Sequence, residues 1–231
     1  MIPLPSKFKI VEEDVNFKKF EIDGLYPGYG TTIGNALRRV LLSSLEGAAI
    51  TKVKIKGADH EFSTIPGVAE DVVNILLNLK QIRFKVFSDE PQQITLKVKG
   101  EKEVTSNDFK LTPELELVTK DLEIATLTGK SSELEIEATV CKGIGYEPIE
   151  RRQKEKLSIG EIMLDAIYTP VRKVSLNIDN VRVGDRTDFD RIVLGVQTDG
   201  SITPEDALKK TIETLTEYLN FLKQEPEKSK K

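Results

Sequence analysis

Three groups of residues have types and spacing that invite a chemical reading. The first is Gly28-Tyr-Gly-Thr-Thr-Ile-Gly34, since closely spaced glycines ahead of a helix can wrap backbone N–H groups around a phosphate. The dinucleotide fingerprint, however, needs G-x-G-x-x-G between a buried parallel strand and its helix. Here the third glycine comes one position late, and Phe20-Glu-Ile-Asp-Gly-Leu-Tyr26 ahead of it is not a buried apolar run. No Lys-Ser/Thr pair stands in the Walker position. A nucleotide-binding domain or small-molecule enzyme built on the 28–34 loop is therefore the alternative reading, not the leading one. The second group is Asp185, Asp188 and Asp190. A calcium loop would require glycine and glutamate where Asp190 and Val196 stand. A Mg²⁺ pair of Asp188 and Asp190 stays open, and a solvated turn is the plainer reading. The third group is His60 and Cys141, the only histidine and the only cysteine. They exclude an internal disulfide and a Cys/His zinc site, and nothing places a serine or Cys141 beside His60 for nucleophilic catalysis. The residues thus point to no catalytic centre, no metal site and no cofactor.

The bulk numbers agree with a chain that works by contact. It has 231 residues, 39% of them hydrophobic and 31% charged, with no Trp and a formal net charge of -4. Domains that track nucleic-acid phosphates are usually basic, so this balance argues against that use. Met1-Ile-Pro-Leu-Pro-Ser-Lys7 lacks the apolar run of a signal peptide, and no apolar stretch is long enough for a bilayer. The expectation is a soluble, cytoplasmic protein with no membrane segment.

The elements that must position these residues follow from periodicity. Phe8/Ile10 and Phe20/Ile22 alternate with polar residues on either side of Glu12-Glu-Asp14, a hairpin signal. The Gly28 turn then feeds a helix predicted to stop at Gly47. At about 100° per residue, Ile33, Ala36, Leu37, Val40 and Leu41 form an inward stripe, while Asn35, Arg38, Arg39 and Leu42 face outward. An outward leucine between arginines is a candidate partner surface. A hairpin and one helix cannot close a core, so a later segment must complete it.

From Thr51-Lys-Val-Lys-Ile55 the period is two, and a helix is expected from Pro66 to Leu79. Strands follow at Ile82/Phe84/Val86, Ile94/Leu96/Val98 and Leu134/Ile136/Ala138/Val140, so residues 48–170 read as a mostly antiparallel module with one helix. A second strand pair spans 174–178 and 192–196. The last helix starts at Thr203-Pro-Glu-Asp206. It carries Leu208, Ile212, Leu215, Leu219 and Leu222, flanked by Ala207, Thr211, Thr214, Tyr218 and Phe221. So wide an apolar face suggests a second surface to cover, in particular a symmetric partner subunit. The polar residues after Lys223 read as a frayed tail.

Several of these segments, in order, resemble the bacterial RNA polymerase alpha subunit. They are residues 28–44 (Gly-Tyr-Gly-Thr-Thr-Ile-Gly-Asn-Ala-Leu-Arg-Arg-Val-Leu-Leu-Ser-Ser), His60-Glu-Phe-Ser-Thr64, Gly67-Val-Ala-Glu-Asp-Val72, Ile75-Leu-Leu-Asn-Leu-Lys80, Gly145-Tyr146, Ile159-Gly160, Asp165-Ala-Ile-Tyr-Thr-Pro-Val171 and Arg186-Thr-Asp-Phe-Asp190. The resemblance implies an α+β N-terminal domain in two parts. A discontinuous dimerisation subdomain, 1–46 and 171–231, would hold an antiparallel sheet plus two helices, and 47–170 would be an inserted, strand-rich subdomain. It implies a homodimer joined by the first and last helices, here through Leu37, Leu41, Leu215, Tyr218, Leu219 and Leu222. It further implies that the dimer is the platform for the large beta and beta′ subunits, which own the polymerase chemistry. Arg38, Arg39, Leu42, Asn74 and Lys80 would meet beta; Leu164, Val171 and Arg191 would meet beta′. Asn74 departs from the family, where an acidic residue can stand. Family members continue into a linker and a small DNA-contacting domain; the chain stops where that linker would begin, as a cut chain would. No direct DNA contact is expected from these residues.

Overall fold

Alternation of apolar and polar residues folds the first segment into an antiparallel hairpin, β1 (Lys7–Asp14) and β2 (Phe17–Leu25), whose turn falls at Val15-Asn16. The Phe8 ring stacks on Phe20 across it, with centroids 6.1 Å apart. Helix α1 (Tyr29–Ser43) follows. The structure, a computed structural model, describes residues 2–152 and 158–223; the tail predicted after Lys223 lies outside them.

The chain then builds a second unit. It comprises β3 (Glu46–Ile55), α2 (Val72–Leu79), β4 (Phe84–Val86), β5 (Gln92–Lys99), β6 (Lys102–Thr105), β7 (Phe109–Lys110), β8 (Leu115–Leu117), β9 (Glu123–Leu127), β10 (Glu133–Ile144), β11 (Tyr146–Glu147), β12 (Glu161–Met163) and β13 (Ala166–Ile167). It returns to the first unit with β14 (Val171–Val183), β15 (Arg186–Thr198) and α3 (Pro204–Leu222). Residues 1–45 with 170–231 form one compact unit, and residues 46–169 the other.

In the discontinuous unit the sheet order is β1-β2-β15-β14, antiparallel throughout. Segments far apart in sequence therefore pair directly, Phe20 opposite Leu194 and Ile22 opposite Ile192. Ile192, Leu194 and Val196 project to the covered face at period two. They pack with Phe20, with Leu37, Leu41 and Leu45 after the hairpin, and with Ala207 and Leu208 of α3. Burying one such side chain contributes about 1.5–3 kcal/mol.

The inserted unit holds the five-stranded sheet β12-β3-β10-β5-β7. Its inner face, including Val53, Ile94, Leu96, Leu134 and Ile136, packs with Ile75 and Leu79 of α2. Elsewhere on these strands Glu135 holds Lys97 at 3.0 Å and Lys56 at 3.2 Å. Overall the fold is α+β.

Two helix boundaries differ from the periodic reading. Helix α1 ends at Ser43, and Glu46-Gly47 already belong to β3, so glycine is not its stop. Helix α2 begins at Val72 rather than Pro66, because Gly67 sits at φ 79° and Val68 bridges to Leu127. Asp71 caps it, accepting the Asn74 N–H at 2.8 Å.

Candidate protein-contact surfaces

The glycine-rich turn is explained by one carboxylate. Gly28 caps α1 at φ 85°, in the left-handed region, without a side-chain cap of its own. The cap comes instead from β15: Asp190 Oδ2 accepts the N–H groups of Gly28 and Gly30, each at 2.9 Å. Asp190 is buried, so the solvated-turn reading of this residue is wrong. Residues 184–190 are not one loop either, since β15 starts at Arg186. A Cβ on Gly30 would lie 2.8 Å from the Asp190 side chain, and one on Gly34 would lie 2.8 Å from Leu176 of β14. The glycines thus bring α1 onto the sheet, and the donors a phosphate would use already hold an anion. This overturns the phosphate alternative. Asp190 shares the alternate-residue phase of Ile192, Leu194 and Val196, a signal that would have found it.

With its start fixed, α1 presents Arg38, Arg39 and Leu42 outward, all exposed. Leu37 and Leu41 are 4% and 0% exposed within one copy. Both belong to the unit's own core cluster.

Helix α3 divides along its length. Thr203 accepts the Asp206 N–H at 3.1 Å, Pro204 occupies the first turn, and Pro204, Ala207, Leu208 and Thr211 are buried. Leu215 is half-buried. Beyond it the same helix leaves Tyr218 71%, Leu219 61%, Phe221 68% and Leu222 74% exposed. An apolar groove of about 610 Å³ opens in this unit between Phe8, Ile10 and Phe20 and the Leu208/Ile212 side of α3.

Of the residues expected to meet beta′, Val171 is buried at the start of β14 and Leu164 is buried in the inserted unit's core. Each side chain packs within its own unit. Arg191 is half-exposed and hydrogen-bonded to the Asp23 carboxylate directly across the β15–β2 pair, which raises its pKa. Asn74 is exposed on α2. Lys80, just beyond α2, donates to Asp165 Oδ2 at 3.3 Å, and Asp165 Oδ1 accepts the Ile149 N–H at 3.1 Å. That backbone bond first, and Lys80 second, hold the Asp165 carboxyl below its ordinary pKa. Loop residues 59–62, α2 and β12 enclose a second groove, of about 520 Å³.

Sequence reasoning missed Phe62, fully outward on that loop; an isolated aromatic in a loop has no period to flag it. Among the described residues no group of three or more His, Cys, Asp or Glu side chains could hold a metal ion. No helix among them is long and apolar enough to cross a membrane.

Known proteins align with this geometry. Residues 53–169 match the family model of the RNA polymerase Rpb3/RpoA insert domain, which coincides with most of the inserted unit. The chain is 46% identical to the DNA-directed RNA polymerase subunit alpha of Symbiobacterium thermophilum over 212 residues, 92% of this chain and 67% of that protein. It is 44% identical to that of Oceanobacillus iheyensis over 211 residues, 91% and 67% respectively. For Desulforudis audaxviator the figures are 46% over 217 residues, 93% and 69%. With a glycine turn clasped by a strand carboxylate, an inserted sheet unit and relatives at this identity, the chain belongs to the alpha-subunit family of DNA-directed RNA polymerase.

Proposed function

We propose that two copies of this chain pair through their first and last helices, α1 and the last turns of α3, and that the pair seats the beta and beta′ subunits in the cytoplasm. The observation that carries the reading is the run of four large side chains, Tyr218, Leu219, Phe221 and Leu222, left bare at the end of a helix whose start is buried. Contiguous apolar surface of this kind marks interaction sites. A two-fold pairing sets the same patch of both copies in one interface and would bury on the order of 2,000 Å² or more, as obligate interfaces do. Leu215 borders the patch and contributes from its exposed side.

Beta docks on Arg38, Arg39 and Leu42 of α1 and on the region of Asn74 and Lys80. Arginines beside an exposed leucine are suited to act as interface anchors. Beta′ uses the surface at Arg191 and Val171 in the discontinuous unit and at Leu164 in the inserted unit. The net charge of -4 supports a role without direct DNA contact. The chain supplies no reacting group; the nucleotidyl transfer belongs to its partners. Sedimentation equilibrium tests the pairing, with a dimer at micromolar concentration expected and a monomer counting against it. Co-purification of beta with the wild-type chain tests the platform role.

A further inference from the structure

The groove of the inserted unit has a chemistry of its own. Its interior is apolar, lined by Leu76 of α2 and by Ile162 and Leu164 at β12, while Phe62 and Leu77 stand at its margin, 78% and 52% exposed. Among the described residues its rim is acidic: Asp59, Glu61, Glu161 and Asp165 against a single ammonium, Lys80. That ammonium is already held by Asp165 at 3.3 Å, and among the described residues Asp59 and Glu61 form no ion pair. Two bare apolar side chains are stabilised by a partner that buries them. A rim with excess carboxylate attracts a basic partner and repels an acidic one.

We propose that this groove docks a segment of the beta subunit in which apolar side chains are flanked by Arg or Lys. The inference rests on the reading of Asn74 and Lys80 as part of the beta-contacting surface and adds the class of segment that surface takes. The apolar side chains cover Phe62 and Leu77, and the cations lie over Glu61 and Glu161. Lys80 keeps its bond to Asp165, so the groove gains positive charge from the partner without having to expel its own.

The test uses the full chain with beta. A photo-crosslinking residue, Leu77→p-benzoylphenylalanine, should capture a beta peptide with Lys or Arg within about four residues of an apolar side chain, one turn of helix. The pair Glu61→Lys and Glu161→Lys should weaken beta binding at least tenfold at low ionic strength and flatten its salt dependence. Phe62→Ser should weaken it by a similar factor without that change in salt response. All variants should melt with the wild type. Cross-linking within the chain, to a second copy, or to a beta segment without basic residues would overturn the inference. So would charge-reversed variants that bind with unchanged affinity and salt dependence. In those cases beta still co-purifies and the platform reading stands; wild-type chain that fails to bind beta would overturn both.

Discussion

Replacing Asp190 by alanine should cost more than any other single carboxylate removal in the discontinuous unit. The substitution deletes two charge-assisted hydrogen bonds, to Gly28 and Gly30, each 2.9 Å long. Bonds to charged groups contribute about 1.5–3 kcal/mol apiece, but Gly28 is exposed and its N–H regains water. Gly30 is buried, so its N–H is left without an acceptor, and the positive end of α1 loses its counter-charge. The expected loss is about 2–4 kcal/mol. Asp190→Asn retains an acceptor oxygen without the charge and should lose about half of that. Gly30→Ala should be destabilising by about 1–3 kcal/mol, although alanine is the better helix former, because its Cβ would lie 2.8 Å from the Asp190 side chain. Urea unfolding at fixed protein concentration measures the losses, and amide exchange at Gly28 and Gly30 localises them. Asp190→Ala within 0.5 kcal/mol of wild type (the usual range for a surface change), with exchange at Gly30 unchanged, would refute the capping argument.

Leu219→Gln with Leu222→Gln keeps helix propensity and removes side chains 61% and 74% exposed in one copy. At about 1–2 kcal/mol per side chain and four side chains per two-fold interface, dimerisation should weaken by about 4–8 kcal/mol, read by sedimentation. Arg39→Ala should shift stability by no more than about 0.5 kcal/mol yet weaken beta binding by roughly 2 kcal/mol or more, a split measured by melting and titration together. For Asp165, the folded-state pKa lies below the ordinary value of 3.8, so its contribution to stability is present above that value and lost as pH falls through the folded pKa. Asp165→Asn should accordingly be less stable than wild type at pH 7, and the gap should close in unfolding curves below about pH 3.8.

How far the sequence revealed the molecule depended on whether a residue's role was periodic. The alternation of β10 was readable because burial repeats along the strand, and the 4-3-4-3 spacing of α3 because its apolar side chains share one face of the helix. The outward set Arg38, Arg39 and Leu42 followed from the same geometry. Long-range partnerships were not readable: the carboxylate that caps α1 arrives from β15, 160 residues away, and no local pattern encodes such a pairing. Period also cannot say which neighbour covers an apolar stripe. Leu37 and Leu41 share their stripe with the face that meets the sheet, so their own core takes them, while Leu219 and Leu222 on α3 reach past the sheet's cover and stay bare. Gly67 and Asp71 moved the start of α2 because a left-handed glycine and a cap outweigh apolar spacing.

A pair of these chains, not one, is proposed to carry the large subunit. Light scattering of the purified complex between the full chain and beta measures this directly through its mass. Two copies of the chain for each beta are expected, with the Leu219→Gln, Leu222→Gln variant failing to give that mass. A complex holding one copy per beta, formed equally well by wild type and variant, would contradict it.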